Sequence, residues 1–207
     1  MATSKRKERE RQHKLKLFLD ISETLFFDKG YENTTMDEIA EMAEYSKGTL
    51  YQYYPSKEVL LLAICLRGIN LMRNMFTTAS NNESLGIDKI GAIGRAYYEY
   101  LTEHSNYYNI ISKLSLINFR DMKNQQYLNQ LSKIDEEIDE MMANSLSLGI
   151  KDGSIRSDIN IPIIVQLLKG MSDGVFRHLN TLKQRENVDT NEMFKSYFDL
   201  LEGILKK

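Results

Sequence analysis

Thr35-Met36-Asp37-Glu38-Ile39-Ala40-Glu41-Met42-Ala43-Glu44-Tyr45-Ser46-Lys47-Gly48-Thr49-Leu50-Tyr51-Gln52-Tyr53-Tyr54 is the stretch on which the fold turns. Thr35 with Glu38 makes a capping box, in which the hydroxyl and the carboxylate each satisfy a free backbone N–H at a helix start. A short helix is therefore expected over 36–43, with Ile39 and Ala40 turned inward. Glu44-Tyr45-Ser46 breaks it, and Ser46 is placed as N-cap of a second short helix over 47–53. There Leu50 and Tyr54 share one face and are expected to pack, which leaves Lys47, Gly48, Tyr51 and Gln52 outside. Two short helices across so brief a break form a helix-turn-helix. The second helix can enter a major groove about 12 Å wide only if its exposed side chains are small or polar. From Tyr45 to Lys57 the chain carries two lysines and no acidic residue, so the presumed DNA face is positive.

Outward from this pair, helical periodicity continues and sustained two-residue alternation is not found. Leu15, Phe18, Leu19, Ser22, Leu25 and Phe26 predict a first helix over about 12–29, with Gly30 as its stop. Ser56 after Pro55 opens a longer helix, 56–76, and the small polar residues of 77–88 read as a loop. Further helices are expected at roughly 87–103, 106–118, 121–151, 160–183 and 190–206. Gly153 closes the third of these, Asn160 and Pro162 open the fourth, and Asp189 or Thr190 caps the last. The fold class is all-α, with about nine helices. A three-helix head with a basic arm is expected over 1–57, joined by helix 56–76 to a helical body over 58–207.

The net charge of -2 hides an asymmetry. Residues 1–19 hold Lys5, Arg6, Lys7, Arg9, Arg11, Lys14 and Lys16 against Glu8 and Glu10, a local charge of +5 that leaves -7 for the rest. A basic arm that meets phosphate, on a body that does not, is the reading this favours. The longest apolar run, Val59–Leu66, is far short of the roughly 18 residues that span a bilayer. Neither a secretory signal nor a membrane partner is expected, and the lone Cys65 suits a reducing cytoplasm and a packing role. No Gly-rich phosphate loop, nucleophile elbow or metal-ligand cluster appears, so an enzyme, a cofactor and a metal site are not expected. A carboxylate-bridged di-metal bundle would need two inward Glu-x-x-His pairs, and the one match, Glu10 to His13, lies in the arm. The acidic run from Asp135 to Glu140 reads as a solvated helix face.

Gly30-Tyr31-Glu32-Asn33-Thr34-Thr35-Met36-Asp37-Glu38-Ile39-Ala40 and Ser46-Lys47-Gly48-Thr49-Leu50-Tyr51-Gln52-Tyr53-Tyr54-Pro55-Ser56-Lys57-Glu58 resemble the N-terminal head of the tetracycline-repressor (TetR) family. The likeness covers about 12–66, and a weaker one lies in Gly149-Ile150-Lys151-Asp152-Gly153-Ser154-Ile155-Arg156-Ser157-Asp158. The resemblance implies a homodimeric regulator, most often a repressor, that binds a pseudo-palindromic double-stranded operator and is released by a small-molecule effector. Lys47 and Gly48 stand where base contacts are usual, Thr35, Thr49, Tyr53 and Lys57 where phosphate contacts are, and Tyr51 where either occurs. Two positions depart from the pattern. Glu44 stands where Gly is usual, which implies a non-Gly residue at positive φ or an altered turn, and Tyr54 replaces Phe, adding a hydroxyl that needs a partner.

In the body, Met72, Tyr97, Tyr100, His104, Tyr107 and Met141 are candidates to line a pocket for an apolar or aromatic effector, although such residues at helical spacing more often form plain core. The last two helices carry apolar residues on more than one face, so they are expected to dimerise through Ile164, Leu168, Met171, Gly174, Val175, Tyr197, Leu201 and Ile204. The alternative is an all-α protein-interaction or scaffolding module that uses those two helices to bind another protein.

Overall fold

The computed structural model describes residues 2–112, 114, 125–185 and 190–206, which hold helices and no strand. Nine helices follow in order among these residues: α1 (Ala2–Asp28), α2 (Met36–Met42), α3 (Lys47–Tyr53), α4 (Lys57–Asn81), α5 (Gly86–Glu103), α6 (Ser105–Ile111), α7 (Gln125–Asp152), α8 (Ile161–Arg185) and α9 (Thr190–Leu205). The chain divides into two compact units, 1–69 with 106–132, and 70–105 with 133–207. Helices α4 and α7 each contribute to both.

In the first unit α1, α2 and α3 pack on one another. Their core is Phe18, Leu25, Phe26, Ile39, Ala40, Leu50 and Tyr54, closed by Val59, Leu60, Leu61, Ile64 and Cys65 from α4. Each large apolar side chain so buried contributes about 1.5–3 kcal/mol. The apolar stretch of α4, long enough to cross a membrane by length and composition alone, thus has a core to fill. Cys65 is fully enclosed and burial pushes its thiol up to about 12, which keeps it protonated and unreactive. Helix α6 joins this unit through Ile110 and through Tyr107, whose ring lies so close to Gly68 that a Cβ there would stand 2.7 Å from it. Tyr107 also meets Phe27 edge to face at 5.1 Å, and Arg67 beside it binds Glu23 at 2.9 Å and Asp20 at 2.8 Å.

Two helices run longer than the sequence pattern suggests. α1 starts ahead of its apolar stripe, because Arg6–Glu10 and Gln12–Glu8 pairs, one turn apart at 2.9 and 2.7 Å, support a stretch of helix whose side chains are exposed. α4 continues through Thr77 to Asn81, where Thr77 bonds back to the Arg73 carbonyl at 2.8 Å and Ser80 is buried. The expected cap at Asp189 lies outside the described residues, as does most of 113–124.

The second unit is clasped by the segment 149–158. The Asp152 carboxylate accepts the Gly86 N–H at 2.8 Å and the Ser154 hydroxyl accepts the Ile87 N–H at 3.2 Å, so this turn caps α5. Arg156 donates its N–H to the Leu205 carbonyl at the end of α9 at 2.9 Å. Gly86 lets α5 approach α7 to backbone contact, since a Cβ there would fall 2.0 Å from the Gly149 nitrogen. Gly94 similarly admits the Phe198 ring of α9. The acidic face of α7 is partly paired rather than wholly solvated: Lys169 reaches Asp135 at 2.9 Å and Asp139 at 2.5 Å, and Arg73 reaches Glu137 at 2.7 Å.

Candidate nucleic-acid interface

The helix-turn-helix is built as its caps dictate. Thr35 Oγ1 accepts the Glu38 N–H at 3.2 Å and Glu38 Oε2 accepts the Thr35 N–H at 2.9 Å. The Thr35 backbone N–H and then Lys29 hold the Glu38 carboxyl below the usual range. Ser46 Oγ accepts the Thr49 N–H at 3.2 Å and shares a hydrogen bond with the Thr49 hydroxyl at 2.8 Å, which opens α3. Glu44 takes φ 59, so the turn keeps its left-handed residue without glycine.

One face of α3 is buried and the other is free. Leu50 is fully enclosed, and Tyr54 is buried with its hydroxyl donated to the Leu15 carbonyl at 3.1 Å, the partner that the extra oxygen required. Lys47, Gly48, Tyr51 and Gln52 are exposed, and a Cβ on Gly48 would meet nothing nearer than Ser46 Oγ at 3.9 Å. Lys47 Nζ stands 2.7 Å from Asp37 Oδ1, and this hydrogen bond raises its pKa. Thr49 and Tyr53 are half-buried, with Tyr53 against the Phe18 ring at 5.5 Å.

Lys57 is differently employed from what its position suggested. Its ammonium donates to the Tyr31 carbonyl at 2.9 Å and the Thr34 carbonyl at 3.0 Å, and stands 4.3 Å from the centre of the Tyr31 ring. It ties α4 to the loop between α1 and α2. Neither its Lys identity nor its spacing signals this, because the partners are backbone carbonyls well back in the chain.

The other candidates are distributed between the units. Met72, Tyr97, Tyr100, His104 and Met141 belong to the second unit, and Tyr107 to the first. Tyr100 is buried, Tyr97 stands edge-on to Phe76 at 6.1 Å, and His104 ends α5 as its C-cap. Met141 lines an open cleft of about 470 Å³ with Leu148, Ser80, Lys89, Glu137, Glu140 and Ser145, so polar side chains stand beside it where the sequence implied aromatic ones.

On α8 and α9 the apolar residues separate into two faces. Leu168, Leu179, Phe194 and Leu201 are buried within the unit, whereas Ile163, Leu167, Met171, Leu200 and Ile204 are exposed. Ile164, Val175 and Tyr197 are intermediate, and Gly170 and Gly174 lie on the exposed side. Of the residues expected at a dimer contact, Met171, Gly174 and Ile204 are thus outside, and Leu168 and Leu201 are inside.

A profile of bacterial regulatory proteins of the tetR family matches residues 18–64, the segment that holds the helix-turn-helix. The chain is 31% identical over 191 residues to the transcriptional repressor KstR2 of Rhodococcus jostii, covering 90% of this chain and 88% of that one. Its fold is similar to that of the ketosteroid transcriptional regulator KstR2 of Mycobacterium tuberculosis, with TM-score 0.69, 15% identity, and 94% and 95% of the two chains covered. It is also similar to FadR of Bacillus subtilis in complex with stearoyl-CoA, with TM-score 0.71, 17% identity, and 91% and 98% covered. The chain belongs to the TetR family of bacterial regulatory proteins, and is a helix-turn-helix, DNA-binding transcriptional regulator.

Proposed function

We propose that this protein is a cytoplasmic repressor that binds a pseudo-palindromic operator as a homodimer and leaves it when a small, largely apolar effector occupies the second unit. The observation that carries the DNA reading is α3: a short helix anchored by Leu50 and Tyr54, whose free face offers Lys47, Gly48, Tyr51 and Gln52. Small and polar side chains are what a helix needs to sit in the major groove. Lys47 and Gly48 meet bases, while Thr35, Thr49, Tyr53 and the exposed side of Tyr51 approach phosphate. Asp37 holds Lys47 in the free protein, and DNA must draw the ammonium away. That exchange is cheap, because an exposed ion pair is worth only about 0–1 kcal/mol.

The exposed apolar stripe of α8 and α9 supports the dimer. Ile163, Leu167, Met171 and Gly174 share one face of α8, and Leu200 and Ile204 one face of α9. Exposed large apolar side chains gathered on two helices call for a partner surface. A second copy satisfies this with the two-fold symmetry that a palindromic site requires. The stearoyl-CoA in complex with the Bacillus regulator of similar fold, and the description of the mycobacterial one as a ketosteroid regulator, support a ligand with a large apolar part.

A gel shift with the DNA upstream of the protein's own gene tests the reading. A retarded band that acyl-CoA or steroid compounds abolish is the expected result. Failure to retard that DNA or any selected duplex, together with capture of a different protein on α8 and α9, would make the chain an interaction module instead.

A further inference from the structure

The inward stripe of α1 changes chemistry where the core of the first unit ends. Phe18 touches both Tyr45 of the turn and Tyr53 of α3, at 5.4 and 5.5 Å, so its side of α1 is the helix-turn-helix side. Toward the N-terminus the same face continues through Lys14, Arg11 and Lys7, each three or four residues from the next. Lys14 Nζ stands 5.1 Å over the Tyr45 ring, which confirms the direction of the row. Arg11 and Lys7 are exposed, and Arg11 approaches Glu8 at 3.7 Å. A stripe that is aromatic where it meets the recognition helix, and cationic where it runs past it, suits an anionic partner on that same side.

We propose that this projecting half of α1 is a second DNA-contacting element, in which Lys7, Arg11 and Lys14 bind phosphates flanking the groove that α3 enters. The inference rests on α3 being the recognition helix. At about 1.5 Å per residue, Lys7 lies roughly 16 Å from Phe18 along the axis. That exceeds the major-groove width of about 12 Å, so the row extends past the groove to the strands that border it. Lys5, Arg9 and Lys16 lie on the opposite face of the helix and supply only long-range attraction. Because phosphate contacts read no bases, the element adds affinity and register without sequence preference.

The test compares two full-length variants of equal charge, Lys7→Gln/Arg11→Gln/Lys14→Gln and Lys5→Gln/Arg9→Gln/Lys16→Gln, binding a long mixed-sequence duplex across a salt series. The first should lower the salt slope by about 0.9 per lost contact, up to about 2.7 per protomer, and the second by much less. Thermal melting checks that both fold. Equal slopes for the two variants, or an unchanged slope for the first, overturn the proposal. A wild-type protein that binds no duplex overturns instead the reading on which it rests.

Discussion

Lys47 and Lys57 are both lysines at the edge of the helix-turn-helix, yet their surroundings give them different work. Lys47 is exposed and holds one exposed carboxylate, so Lys47→Ala should change stability by no more than about 0.5 kcal/mol while altering base preference. Lys57 satisfies two carbonyls of the 31–34 loop, and Lys57→Ala should cost about 1–3 kcal/mol of stability by leaving them without their charged donor. Urea melts of both variants check this, and an undestabilised Lys57→Ala would assign that ammonium to phosphate after all. Glu44 stores strain at φ 59, where an L-residue pays about 1–2 kcal/mol that glycine does not. Glu44→Gly should therefore raise the urea midpoint by the equivalent of about 1 kcal/mol, and a lowered midpoint would mean that the Glu44 side chain itself holds the turn. At Glu44 the family resemblance left positive φ and an altered turn both open, and it marked the need of Tyr54 for a partner, so both positions were legible in part. The bonds of Lys57 were not, because they join residues distant along the chain.

Among the elements, those with strong caps appear where the sequence put them. α2 and α3 begin at Thr35 and Ser46, and Gly30 and Gly153 close α1 and α7 at φ 85 and 81. The beginning of α1 and the end of α4 were missed because polar residues continue each helix through side-chain pairing and back-bonding, which leave no apolar period to read. The two faces of α8 and α9 were legible as two, but which residue lies on which was not, because both faces are apolar and only packing separates them. The consequence is a paired prediction. Leu200→Arg, on the exposed face, should give folded monomers, whereas Leu201→Arg, in the unit's own core, should unfold the second unit. Sedimentation and far-ultraviolet circular dichroism distinguish the outcomes, and a dimer that survives Leu200→Arg would move the interface elsewhere.

For the whole molecule, the proposed function requires two copies of α3 held together. Each short helix has few side chains with which to read bases, so specificity comes from doubling the half-site at a fixed spacing. In the proposed dimer the basic half of α1 would add charge to each copy, and the exposed stripe of α8 and α9 would bring the copies together. Selection of bound duplexes from a random-sequence pool by the full-length protein tests this account most directly. The expected result is one enriched site with two half-sites related by a dyad, their centres one duplex turn or a multiple of it apart, at about 34 Å per turn. With Lys47→Ala the same selection should relax one or two positions in each half. A pool that stays random after selection would contradict the account.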